Sequence, residues 1–288
     1  MTLRTGFIGL GNQGKPIAAH LAPAGFETTV YDVVEAPMAE LAAAGAKAAR
    51  TPREVGERAE LVGICVPEGK HVRAVVFGDD GLLAGMASGG LIAIHSTVLP
   101  STIEEIADAA AKHGIEVMDA CVTGGADGAE KRALTFLVGG SDAQLARLRP
   151  YVEAISDVPI IHAGPLGCGA KLKLCINLVT YIQFSAAYES NLLARAVGLD
   201  PKILQAAGRS NGNFTPFMLN YLQSQDLPDA VRASEAFQSR VRNVMHIGEK
   251  DLAWALQMAR EAEVSLPVGG LVSQLQAKHF GVIDPGRR

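Results

Sequence analysis

The run Gly9-Leu10-Gly11-Asn12-Gln13-Gly14 follows a short apolar strand pattern, Thr5 to Leu10, and opens an amphipathic helix pattern through His20 and Leu21. In that setting G-x-G-x-x-G is a dinucleotide-binding fingerprint. Gly9 permits a tight turn, Gly11 lets backbone approach a pyrophosphate, and Gly14 lets the helix pack close to the strand, so that Asn12, Gln13 and the glycines would hold the phosphates. Asp32 closes the second strand, eighteen residues after Gly14. A carboxylate there can accept from the adenosine ribose hydroxyls and repels a 2′-phosphate, so the expected cofactor is NAD rather than NADP. The competing reading of Asp32 is a plain strand-end cap. Thr123-Gly124-Gly125 sets a hydroxyl before two glycines, a pattern that exposes several N–H groups and suits a carboxylate, or else makes an ordinary glycine-rich turn. Lys173 and Asn177 stand four apart in a glycine-started, largely apolar stretch, so both side chains fall on one helical face.

The elements that must carry these residues divide the chain in two. Strand and helix patterns alternate to about residue 162: Leu61 to Val66 and Leu91 to His95 are continuous apolar runs of the kind found in two-sided parallel sheets, and Glu116 to Ala120, Leu134 to Val138 and Pro159 to His162 follow. Ligands of a doubly wound sheet bind beyond the C-terminal strand ends, which makes Val66, Pro67 and Thr97 candidates for the wall of a cofactor site. From Gly167 to Gly198 no glycine or proline interrupts the chain after Gly169, and at roughly 1.5 Å per residue this is a rod of about 40 Å. Only helical patterns come after it. The expected fold is an α/β Rossmann-type doubly wound N-terminal domain over residues 1–164, joined by the long helix to an all-α domain over residues 165–288, with a frayed tail at 284–288. The long stretch carries Lys171, Lys173, Asn177, Glu189 and Arg195, too many polar groups for a membrane span. A net charge of -4 supplies no basic field for nucleic acid, and 48% hydrophobic residues furnish a large core. Cys65, Cys121, Cys168 and Cys175 form no CxxC pair, and the N-terminus enters a strand directly, so a cytoplasmic protein without a metal site is expected.

Four blocks in order, Gly9 to Gly14 with Asp32, Asp119 to Gly125, Gly167-Cys168-Gly169 with Lys173 and Asn177, and Lys250-Asp251-Leu252, resemble those of the β-hydroxyacid dehydrogenase family, the group of 3-hydroxyisobutyrate dehydrogenases and their relatives. The resemblance implies NAD-dependent oxidation of a small 3-hydroxy acid, or the reverse reduction. It makes Thr123, Gly124 and Gly125 ligands of the substrate carboxylate, Lys173 the general acid/base, Asn177 its partner in orienting the substrate, and Lys250 a residue close to nicotinamide and substrate. Burial lowers a lysine's pKa toward the range useful for proton transfer. Lys250 is expected near the start of a helix from Asp251 to Ala262, where an exposed helix-start residue is the alternative.

The chain also departs from the family pattern. Gln13 stands where methionine is common, Cys121 and Thr123 where proline and serine are common, and Ile176 where a second asparagine is frequent. Around the substrate's distal end, Asn213 and Phe214 could make contacts and Arg240 or Arg242 could receive a second anionic group. Competing expectations are a semialdehyde reductase for tartronate or succinic semialdehyde, an imine reductase, which usually lacks the lysine, and a non-catalytic NAD(H)-binding regulator or scaffold. A long helix in a small helical domain is expected to bury its free side against another subunit, giving a homodimer or homotetramer.

Overall fold

The computed structural model describes residues 3–284, so of the tail expected to fray residues 285–288 lie outside the described residues. The sheet-bearing part runs β1 (Arg4–Ile8), α1 (Gly14–Ala19), β2 (Glu27–Tyr31), α2 (Glu35–Ala43), β3 (Lys47–Ala48), α3 (Pro52–Arg58), β4 (Leu61–Ile64), α4 (Gly69–Val76), α5 (Leu82–Gly85), β5 (Leu91–Ile94), α6 (Pro100–Ala111), β6 (Glu116–Thr123), α7 (Gly125–Glu130), β7 (Thr135–Gly139), α8 (Asp142–Ile155) and β8 (Ile161–Gly164). Helices α9 (Cys168–Ala196), α10 (Pro201–Ser210), α11 (Pro216–Gln225), α12 (Asp229–Arg232), α13 (Glu235–Glu261), α14 (Pro267–Gln274) and α15 (Gln276–Phe280) follow. The chain forms two compact units that divide between Lys173 and Leu174, inside α9 and nine residues beyond the expected boundary at 164.

The first unit is a Rossmann-type sheet in the order β3-β2-β1-β4-β5-β6-β7-β8. Strands β1 to β6 pair in parallel, and β7 runs antiparallel to β6. All four residues of β4 and of β5 are buried, as their unbroken apolar runs require in a sheet covered on both faces. Strand order reverses between β1 and β4, which opens the crevice at the C-terminal strand ends. Deep in the core His95 bridges the sheet to α8: Nδ1 lies 2.8 Å from the Ala120 carbonyl and Nε2 2.9 Å from the Tyr151 hydroxyl. Burial lowers the His95 pKa to about 4, so the ring is neutral. Ser141 caps α8 with a reciprocal bond to Gln144, as its place before an amphipathic run predicts.

Two elements differ from the sequence expectation. Strand β6 does not end at Ala120 but continues to Thr123, because β7 folds back and pairs with Ala120, Cys121, Val122 and Thr123. Helix α13 begins at Glu235, capped by Ser234, and passes through Gly248, so Lys250 sits well inside the helix rather than near its start. Glycine weakens a helix by about 1 kcal/mol, but here a Cβ would stand 2.9 Å from the Tyr181 ring, so close packing against Tyr181 favours its absence.

The second unit packs Tyr181, Phe184, Met218, Tyr221, Val241, Met245, Leu252, Val272 and Phe280 into one core. Phe184 stacks on Tyr221 with ring centroids 4.6 Å apart. Among the described residues no helix is long and apolar enough to cross a membrane.

Candidate functional site

Along the C-terminal edge of the parallel strands the fold gathers the sheet-borne residues singled out by sequence. Gly9 leaves β1 at φ +95°, and its N–H donates to the Tyr31 carbonyl at 3.0 Å. A side chain at Gly9 would meet the Cys65 carbonyl oxygen, and one at Gly14 would meet the Gly9 carbonyl oxygen, inside van der Waals contact. Both glycines are therefore demanded by the protein's own packing. Gly11 is not: a Cβ there would have nothing within 4 Å. The exposed backbone at Gly11 and Asn12 is open space that internal packing does not use, which is what a loop holding a pyrophosphate should present.

Asp32 makes the backbone contacts of the strand-end reading. Its Oδ2 accepts from the Leu10 N–H at 2.6 Å and its Oδ1 from the Val34 N–H at 2.8 Å. The carboxylate thus fixes the glycine loop while each oxygen retains a further lone pair for a ribose hydroxyl. Val66 and Pro67 follow β4 and Thr97 follows β5, with the Val66 N–H held by Ser96 Oγ at 2.8 Å. The residues of this edge fit a dinucleotide: the loop and Asp32 would hold its phosphates and ribose, and Val66, Pro67 and Thr97 would line the wall. At the end of β6, Thr123 is half-buried while Gly124 and Gly125 are exposed, with positive φ at both glycines.

Lys173 lies in the second turn of α9, half-buried, whereas Lys171, two residues back and so on nearly the opposite face of the helix, is exposed. The start of α9 is held by Asp119 of β6, whose Oδ1 accepts from Gly167 N–H and whose Oδ2 accepts from Ala170 N–H, each at 2.7 Å. Asp119 is fully buried. That burial pushes its pKa upward, against the downward pull of backbone donors from Gly167, Ala170, its own N–H and Gly169.

In the second unit Asn177 is anchored by a buried carboxylate. Its Nδ2 donates to Asp251 Oδ2 at 2.6 Å, and the Lys250 ammonium stands 3.2 Å from Asp251 Oδ1. Tyr181, one turn after Asn177 on α9, also hydrogen-bonds Asp251; burial first, then the Asp251 charge, holds its hydroxyl far above the ordinary tyrosine range. Lys250 Nζ lies 4.4 Å from the Trp254 ring centroid, a cation–π contact. The bond to Asp251 uses one of the two hydrogens on Asn177 Nδ2, which leaves the second hydrogen to donate to a ligand and the carbonyl oxygen to accept from one. Arg242 pairs with Glu235, and Phe214 packs against the core of this unit, which leaves exposed Asn213 and Arg240 from the group considered for a distal substrate end.

Asp119 and Asp251 stand inside two of the four sequence blocks without a role of their own there, and Tyr181 stands outside them. A signal was present for Asp119: a carboxylate inside the apolar run Val117-Met118-Asp119-Ala120-Cys121-Val122 must be buried, and a buried charge must find donors. No comparable pattern marks Asp251, which follows Lys250 in an ordinary charged helix segment.

A NAD-type glycine loop at a strand-order reversal, followed by helices that carry a lysine and an anchored asparagine, defines an oxidoreductase of the dinucleotide-dependent class. The NAD binding domain of 6-phosphogluconate dehydrogenase matches residues 4–168, and the NAD-binding domain described for NADP-dependent 3-hydroxyisobutyrate dehydrogenase matches residues 167–280. The chain belongs to the β-hydroxyacid dehydrogenase family, and NAD is its cofactor. It is 36% identical to the 3-hydroxyisobutyrate dehydrogenase of Pseudomonas aeruginosa, over 95% of this chain and 91% of the relative. It is likewise 36% identical to the NAD-dependent L-serine dehydrogenase of that organism, over 93% and 89%. Among solved structures, the Mycobacterium tuberculosis 3-hydroxyisobutyrate dehydrogenase with L-serine is similar with a TM-score of 0.80 and 29% identity, covering 96% of this chain and 94% of that one. Imine reductases share the fold at 17% to 19% identity.

Proposed function

We propose that this dehydrogenase oxidises a small 3-hydroxy acid of the 3-hydroxyisobutyrate or L-serine type to its semialdehyde or keto acid, and runs the reduction in reverse, with Lys173 as general acid/base. The observation that carries this reading is the pairing of Lys173 with Asn177 one turn apart on α9, the asparagine amide being fixed by buried Asp251. NAD, held by its pyrophosphate at the glycine loop, would supply the nicotinamide that accepts the hydride. In oxidation Lys173 takes the proton from the substrate hydroxyl, and in reduction it returns one. The second hydrogen on Asn177 Nδ2 is donated to the oxygen of the same hydroxyl and orients it without competing for the proton. The N–H groups around Thr123, Gly124 and Gly125 receive the substrate carboxylate, and within the second unit Asp251 and Trp254 hold Lys250 as a fixed positive charge.

Exposed apolar side chains at Leu193, Val197, Leu199 and Ile203 support assembly as a homodimer or homotetramer. The reading is tested by NADH formation over a panel of 3-hydroxyisobutyrate, L-serine, 3-hydroxypropionate, glycerate, 4-hydroxybutyrate and threonate, with the corresponding semialdehydes assayed for NADH consumption. Turnover of a 3-hydroxy acid is the expected result. Silence across the panel, with NADH still bound, favours a non-catalytic NAD(H)-binding regulator, and turnover of cyclic imines instead favours an imine reductase.

A further inference from the structure

The first turn of an α-helix leaves backbone donors without intrahelical partners, and the usual remedy is a polar side chain at the cap position. Helix α9 has glycine there, so it cannot cap itself. Its donors are nonetheless accounted for. Cys168 N–H donates to the Pro165 carbonyl at 3.0 Å, Lys171 N–H makes the first helical bond to the Gly167 carbonyl at 3.0 Å, and Gly167 and Ala170 donate to the two oxygens of Asp119. Gly169 adds a further donor to the same carboxylate. The cap comes from a strand that is forty-eight residues away in sequence from Gly167.

We infer that Asp119 is a positioning residue for the proposed base: by capping α9 from β6 it sets where Lys173 stands relative to the carboxylate-binding end of the same strand. This rests on the role proposed for Lys173. Lys173 is only five residues beyond Cys168, with unbroken helix between them, so a shift of the capped turn is passed to it undamped. Thr123 is four residues beyond Asp119, roughly 13 Å along the strand. One buried carboxylate therefore ties the two ends of the proposed substrate site in this unit together. Gly169 serves the same joint: a Cβ there would meet the Leu137 carbonyl oxygen inside contact distance and stand 2.8 Å from Asp119 Oδ2 and 2.9 Å from Gly139 N. Burying a carboxylate is costly where an apolar residue would pack the strand, and the position of α9 is what the cost secures.

The test uses the full chain in three forms, Asp119→Asn, Gly169→Ala and the double variant, with Lys173→Ala as control. The asparagine keeps the shape of Asp119 but turns an NH2 toward one of the backbone donors. The expected result is a fall in kcat of about a hundredfold, typical of a misplaced catalytic group, with KM moving far less and NADH affinity unchanged. The double variant should be no slower than the slower single, because both lose one joint. Labelling by trinitrobenzenesulfonate, mapped by mass spectrometry, should show the ratio of Lys173 to Lys171 modification altered in both single variants, with exposed Lys171 as internal reference. If Asp119→Asn does not fold, Gly169→Ala decides alone by the same readouts. A lowered melting temperature with kcat unchanged overturns the inference, whatever the labelling ratio does. Retained turnover in Lys173→Ala instead removes Lys173 as base, and the labelling ratio then decides whether Asp119 holds the lysine at all: unchanged, it overturns the inference; altered, it upholds the hold on Lys173.

Discussion

Both carboxylate oxygens of Asp32 are engaged by the protein's own backbone. Its bonds to Leu10 and Val34 hold the glycine loop in shape, and we propose that its remaining lone pairs accept from the ribose hydroxyls of the cofactor. Replacing it by alanine should therefore weaken NAD binding by about tenfold to a hundredfold, the worth of charge-assisted hydrogen bonds, and weaken NADP binding less, because repulsion of the 2′-phosphate is lost at the same time. Titration of wild type and Asp32→Ala with NADH and NADPH checks this. A wild-type enzyme that already prefers NADP would contradict the ribose argument. The strand-end position of Asp32 was legible in the sequence because a glycine loop followed by a second strand is a known local geometry. Asp251 was not, and Asp119 only as a buried charge in need of donors, since the partners of each lie in a distant element, Gly167 and Ala170 in one case and Asn177 in the other.

At the scale of elements, the loop between β1 and α1 separates packing from binding. Gly14→Ala drives a methyl group into the Gly9 carbonyl and should destabilise the protein with or without cofactor, on the order of 1–3 kcal/mol. Gly11→Ala meets nothing, so it should leave apo stability unchanged while reducing NADH affinity. Melting curves with and without NADH distinguish the two, and equal apo destabilisation would refute the assignment of Gly11 to the ligand. Apolar runs located β4 and β5, and the Ser141 cap located α8, because local pattern suffices for a buried strand or a capped start. The far end of β6 depends on pairing with β7, and the length of α13 depends on Gly248 lying against Tyr181, neither of which a local pattern reports.

For the whole molecule, the sheet unit should carry an acid sensitivity centred on His95. Its folded pKa of about 4 is lower than the ordinary histidine value, so the unfolded chain binds the proton first as pH falls. The stability it contributes is intact above about pH 6.5 and is lost progressively toward pH 4, to a total of about 3 kcal/mol. His95→Asn should flatten that part of the pH–stability curve, and parallel curves for wild type and variant would contradict the account. The order of sheet before helices was legible from the alternation of apolar patterns, and the family from four short blocks whose glycines, lysine and asparagine stand at specific spacings. The division within α9 was not, since no residue marks where a continuous helix passes from one packed unit to the next. The account's central claim is that Lys173 moves the proton. Its most direct test is turnover by Lys173→Ala on a hydroxy acid the wild type oxidises: kcat should fall by about a hundredfold to ten-thousandfold with NADH affinity unchanged, whereas a variant that turns over at the wild-type rate would contradict the claim.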